Sequence, residues 1–99
     1  MTAYINKNKK QYPVRENLDR KFYNTTAWVN CRTYFLVHNP RCQRCLEMDI
    51  IRLAQEVHHI QPLSSVETLE EKFIIGLDVT NLQALCKECH HEIHNHSKQ

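Results

Sequence analysis

Glu56-Val57-His58-His59-Ile60-Gln61-Pro62 and Asn81-Leu82-Gln83-Ala84-Leu85-Cys86-Lys87-Glu88-Cys89-His90-His91-Glu92-Ile93-His94 are the two stretches whose reading decides the fold. The first reads as an extended segment ended by Pro62. Adjacent residues of a strand face opposite sides, so His58 and His59 serve two different surfaces unless a bulge intervenes. The second stretch begins with a short extended run, Leu82 to Leu85, and continues as a helix from about Lys87 to Asn95. On that helix His90 and His94 are four apart, share one face and can grip a single ion. His91 points about 100° away and is the weaker candidate. One strand histidine can join the metal while the other faces a substrate phosphate. Metal-assisted phosphodiester hydrolysis needs that division between a Lewis acid and a separate neutral base.

Four of the five cysteines form two Cys-x-x-Cys pairs, Cys42/Cys45 and Cys86/Cys89. Each pair presents two soft ligands from one turn, and four thiolates close a tetrahedral shell around zinc with no position left for water. Such a site is structural. It would pin the knuckle before the His58-His59 strand to the start of the last helix, and so hold these histidines opposite His90. Cys86-Lys87-Glu88-Cys89-His90 also matches the attachment pattern of c-type haem, and a redox dithiol is a further option. The second knuckle favours zinc. Cys31 is left over as a small apolar side chain on a helix face.

Working outward, Asn24 or Thr25 can cap a helix whose apolar face is Trp28, Cys31, Phe35 and Leu36, and Asn39-Pro40 stops it. Met48 to Leu53 reads as one strand of a hairpin whose partner is Gln55 to Ile60. Ser64 with Glu67 resembles a capping box, which predicts a short helix through Leu69 or Lys72. Gly76, the only glycine, marks a turn before Leu77-Asp78-Val79-Thr80. Residues 1–20 lack periodicity and read as a basic arm that Tyr4, Tyr12 and Pro13 could pack onto the domain. Residues 21–96 form one domain and 97–99 a polar tail.

Ninety-nine residues make one small core, for which a metal staple is a reasonable supplement. The net charge is only +2, but basic residues crowd the first half. That half suits contact with phosphates, with Arg32, Arg41 and Arg44 as DNA-binding candidates; simple solubility is the competing account of the arm. The start lacks the apolar run of a signal peptide and no stretch approaches membrane-spanning length. A reducing, cytoplasmic setting without membrane partners is expected. His38 and His96 read as surface or hydrogen-bonded histidines.

His59, Asn81 and His90, within His58-His59-Ile60-Gln61-Pro62 and Asn81 to His90, resemble the HNH endonucleases. Trp28 on a helix and Pro40-Arg41-Cys42-Gln43-Arg44-Cys45 extend the resemblance to the small phage and prophage members. The resemblance implies an α+β fold: a ββα-metal core with an additional N-terminal helix and a structural zinc site. It implies that His59 is the general base, that Asn81 fixes its ring through nearby backbone, and that His58 and His90 hold a catalytic divalent ion with His94 as third ligand. Many zinc-knuckle members carry aspartate at the position of His58. The all-imidazole set here favours manganese, nickel, cobalt or zinc over magnesium.

The expected activity is metal-dependent DNA hydrolysis, by nicking or double-strand cleavage, with low sequence specificity and products carrying a 5′-phosphate and a 3′-hydroxyl. A monomer is the simplest active unit. The competing function is a non-catalytic, zinc-stabilised nucleic-acid-binding module. Either suits a setting among phage packaging proteins. His59 separates the two, because a binding module has no need of a base beside a metal ligand.

Overall fold

The computed structural model describes residues 17–97. The first sixteen positions of the expected arm, including Tyr4, Tyr12 and Pro13, lie outside the described residues, as do positions 98–99 and the side chain of His96. In chain order the elements are α1 (Leu18–Tyr23), α2 (Thr26–His38), α3 (Gln43–Glu47), β1 (Glu56–His59), a 3-10 turn (Leu63–Ser65), α4 (Leu69–Gly76), a second 3-10 turn (Val79–Asn81), β2 (Leu82–Leu85) and α5 (Lys87–Ser97). This is a small α+β fold. Among the described residues no helix is long and apolar enough to cross a membrane.

Helix α1 had no signal in the apolar pattern. Asn17 caps it, its side chain accepting from the Arg20 N–H at 3.0 Å, and Phe22 is its one buried side chain. Thr25 is the cap of α2: its hydroxyl accepts from the Trp28 N–H and donates to the Phe22 carbonyl, so the two helices share a corner. Trp28 and Phe35 are buried as the spacing predicts, with Cys31 and Leu36 packed at the edge of the same core.

The sheet has two antiparallel strands, with Glu56 opposite Leu85, Val57 opposite Ala84, His58 opposite Gln83 and His59 opposite Leu82. The partner of β1 is therefore β2. The expected hairpin between Met48 to Leu53 and Gln55 to Ile60 does not form, because the single linking residue Ala54 is shorter than the two-residue loop a hairpin needs. Asp49 instead turns the chain at φ 63°, and the return segment bonds beside Pro40 to Cys42, with Cys42 N–H on the Arg52 carbonyl (2.7 Å) and Ala54 N–H on the Pro40 carbonyl (2.8 Å). Met48, Ile50, Ile51 and Leu53 stay exposed, so that segment had no core face to offer the sheet.

A second correction concerns α4. The capping box is Thr68 with Glu71, their side chains and backbone N–H groups bonding reciprocally at 3.1 Å, and Ser64 with Glu67 makes none. The helix starts four residues later than expected and runs up to Gly76. Buried Lys72 ties it down: its ammonium donates to the Leu63 and Val66 carbonyls and pairs with Asp19, each at 2.8 Å. All three of its donors are thereby used.

Gly76 ends α4 where the helix meets α1. A Cβ there would run into Cζ of Phe22, a ring with no solvent exposure. We expect Gly76→Ala to cost about 1–3 kcal/mol through forced repacking of that ring. Urea denaturation checks this, and an unchanged midpoint would show that the corner is loosely packed.

Candidate metal and catalytic site

Strand β1 sends its two histidines to opposite sides, as the alternation requires. The ring of His59 lies 4.8 Å from that of Trp28 and 6.0 Å from those of Phe22 and Tyr23, and the residue is only 5% exposed. Its Nε2 is 3.1 Å from the Gly76 carbonyl oxygen. A carbonyl can only accept, so Nε2 carries the proton and Nδ1 the lone pair. Burial lowers the pKa of His59 and the charge of His90 works the same way, against the Gly76 carbonyl and Asp19, which raise it. The ring is a neutral imidazole with a defined basic edge.

Asn81 braces the chain just past His59. Its side-chain oxygen accepts from the Gln61 N–H at 2.7 Å, while its amide donates to the Gln61 carbonyl (3.1 Å) and the Ile75 carbonyl (2.9 Å). The Ile60 N–H donates to the Asn81 carbonyl at 2.9 Å. The residue thereby joins the end of β1 to the last turn of α4, whose Gly76 carbonyl holds the His59 ring.

On the other side of β1, His58, His90 and His94 converge, each offering a ring nitrogen within 4.8 Å of the others. Nε2 of His90 and Nε2 of His94 are 3.0 Å apart. That is hydrogen-bonding distance, a contact that an ion shared by the two nitrogens would replace. Three imidazoles so placed fit one divalent ion and leave positions for oxygen ligands. Burial, reinforced by the charges of His90, His94 and His59, holds the pKa of His58 down to about 4, so it needs no deprotonation to bind metal at neutral pH. His91 stands outside this group, and His38 is exposed and donates to the Tyr34 carbonyl at 2.9 Å.

Glu56 also reaches this cluster, a contact that the histidine and cysteine spacing does not single out. Its carboxylate is 2.6 Å from Nδ1 of His90, which fixes the proton on Nδ1 and turns the Nε2 lone pair toward His58 and His94. Strand alternation contained the signal, since Glu56 lies two residues before His58 and shares its face.

The four cysteines of the two knuckles cluster as the spacing predicts, all buried. Sγ of Cys45 is 3.9 Å from Sγ of Cys86 and 3.7 Å from Sγ of Cys89. A tetrahedron of zinc–sulfur bonds of about 2.3 Å has edges of about 3.8 Å, so the cage fits zinc. Burial opposes ionisation of Cys42, yet the backbone N–H groups of Cys86 and Cys45 prevail and bring its pKa to about 6. Burial and the neighbouring thiols push Cys89 up to about 12. Four thiolates cannot share this space without a cation. Cys31 lies apart, its thiol 3.9 Å from the Leu77 carbonyl.

Family and structural comparison

A family model for HNH endonucleases matches residues 42–96, more than half of the chain. The chain belongs to the HNH endonuclease family. It is accordingly a nuclease, with nucleic acid as its substrate class. A solved structure described as the deep-sea thermophilic bacteriophage GVE2 HNH endonuclease with manganese ion aligns with a TM-score of 0.70 at 34% sequence identity, over 81% of this chain and 82% of that one. No curated protein matches. The four knuckle cysteines and His58, His59, His90 and His94 lie within the matched segment, whereas α1, with Asp19 and Tyr23, lies upstream of it.

The arginine candidates are dispersed. Arg32 donates to the Gln55 carbonyl at 3.2 Å, and Arg44 pairs with Glu92 at 2.7 Å beside the Cys89 carbonyl. Arg41 is exposed. None of the three lines the cleft of about 540 Å³ into which His58, His59, His90 and His94 open.

Proposed function

We propose that this protein is a metal-dependent DNA endonuclease in which His59 is the general base and His58, His90 and His94 hold one divalent ion. The observation that carries it is the meeting, in one cleft, of a neutral imidazole whose Nδ1 carries the lone pair and a three-imidazole cluster. His59 takes the proton of the attacking water on Nδ1 while Nε2 remains donated to the Gly76 carbonyl. Asn81 keeps the base aimed by joining β1 to α4, and Glu56 keeps the Nε2 lone pair of His90 turned into the cluster. A bound ion would supply Lewis acidity to the scissile phosphate and its leaving oxygen.

Manganese is the first ion to try, given the manganese in the related phage enzyme and the all-imidazole cluster. Zinc in the cysteine cage would be structural. DNA is held mainly through its phosphates, with Arg32, Arg41 and Arg44 as peripheral contacts and little base reading. The products carry a 5′-phosphate and a 3′-hydroxyl.

The test is supercoiled-plasmid cleavage by zinc-loaded protein with manganese, nickel, magnesium or calcium added, beside His90→Ala. We expect wild type to open the plasmid and His90→Ala to lose at least about tenfold in manganese affinity with its fold intact. The ratio of open circle to linear product separates nicking from double-strand cleavage. No conversion with any ion, together with tight DNA binding, would instead mark a non-catalytic binding module.

A further inference from the structure

The family match begins at residue 42, yet one side of the catalytic cleft is built by α1, upstream of it. Tyr23, the last residue of α1, places its hydroxyl 3.5 Å from Nδ1 of His59, the edge that carries the lone pair. The contact is long for a hydroxyl bond to nitrogen, which ordinarily closes to about 2.8 Å. The lone pair is therefore approached without being stoppered.

Tyr23 is also held firmly. Its ring packs at 5.5 Å from Phe22 and 5.7 Å from Trp28, and α1 is moored to α4 by the Asp19–Lys72 pair. Burial and the nearby Asp19 carboxylate raise the phenol's pKa, so the hydroxyl keeps its proton. It lines the same cleft as the three metal-cluster histidines.

The geometry points to Tyr23 as the residue that positions the nucleophilic water for His59, an inference that rests on His59 being the base. A water seated against both groups gives one proton toward Nδ1 and the other to the phenol oxygen, which accepts it. One of its two lone pairs is then directed out of the cleft at phosphorus. In the step itself that lone pair forms the new O–P bond, the proton shared with His59 passes to Nδ1, and the P–O3′ bond breaks with its electron pair leaving on O3′. Tyr23 neither gains nor loses a proton. Fixing the direction of the attacking atom is a matter of orientation, which is worth one to two orders of magnitude when it slips by about 1 Å.

The test compares wild type, Tyr23→Phe and His59→Ala as full chains at one pH, by plasmid cleavage, thermal melting and ¹⁵N NMR of the imidazole nitrogens in the zinc-loaded protein without manganese. Phenylalanine retains the ring packing and removes only the hydroxyl. Tyr23→Phe is expected to lose about tenfold to a hundredfold in kcat at unchanged KM and melting temperature. The Nδ1 resonance of His59 should move toward that of an unbonded nitrogen while the Nε2–H stays donated. If His59→Ala is inactive but Tyr23→Phe cleaves like wild type, or changes only KM with Nδ1 unmoved, the Tyr23 assignment is overturned and the base stands. If His59→Ala cleaves normally, the base assignment itself has failed, and this one with it.

Discussion

Cys86→Ser is expected to abolish the folded domain as well as activity. The region that joins α3, β2 and α5 contains, besides four buried cysteines, only Leu85 as a fully buried apolar side chain and Ile93 at its edge. So little apolar surface cannot hold three elements together. A structural zinc ion supplies on the order of 10 kcal/mol in small domains at neutral pH, comparable to the whole stability of a chain this size. Serine offers an alkoxide donor only at high pH and breaks the soft four-sulfur set. Circular dichroism and metal analysis of the purified variant read the result: lost zinc and collapsed helix content are expected. A folded Cys86→Ser protein with one equivalent of zinc would mean that the cage is not what holds the domain together. Chelation of zinc from the wild type should produce the same unfolding.

His59→Ala should have the opposite character. The domain stays folded and still binds its catalytic ion, because His59 is not among the three histidines whose ring nitrogens cluster, while cleavage falls by roughly 10²–10⁴-fold, the usual worth of a positioned base. Retained metal with lost activity identifies a base, and lost metal would make His59 a ligand. The pH profile adds a second check. Protonation at Nδ1 consumes the lone pair, so the rate must fall on the acid side. Burial lowers the His59 pKa from the ordinary imidazole value of about 6.5, and the fall should begin below that value. A rate that already halves between about pH 8 and about pH 7 would contradict a buried, depressed base.

Much of the site was legible because local rules place its members. Alternation separates His58 from His59, helical spacing joins His90 to His94, and the two Cys-x-x-Cys turns each deliver two sulfurs. What could not be read depends on contacts distant in sequence. Tyr23 reaches His59 across 36 residues, and the Gly76 carbonyl that sets the His59 tautomer leaves no trace in side-chain chemistry. The misplaced hairpin came from apolar residues that read as a strand but remain at the surface, where the short link at Ala54 prevents pairing. For α4 two capping templates lay four residues apart, and local pattern alone gave no reason to prefer Thr68 with Glu71 over Ser64 with Glu67. Lys72, with its two carbonyls and Asp19, favours the later start.

Strand β2 separates Asn81, which braces the chain just past His59, from Cys86, which enters the cysteine cage, by four residues, or about 13 Å of extended chain. For a gene drifting under mutation this is where length, more than identity, is fixed. A substitution at half-exposed Gln83 changes one outward side chain and leaves both ends in place. A single-codon insertion between the two would turn every later side chain to the opposite face, carrying Cys86 away from its partners or Asn81 away from Gln61. Insertions and deletions should therefore be purged from residues 82–85 far more strictly than from the exposed segment around Ile50 and Ile51.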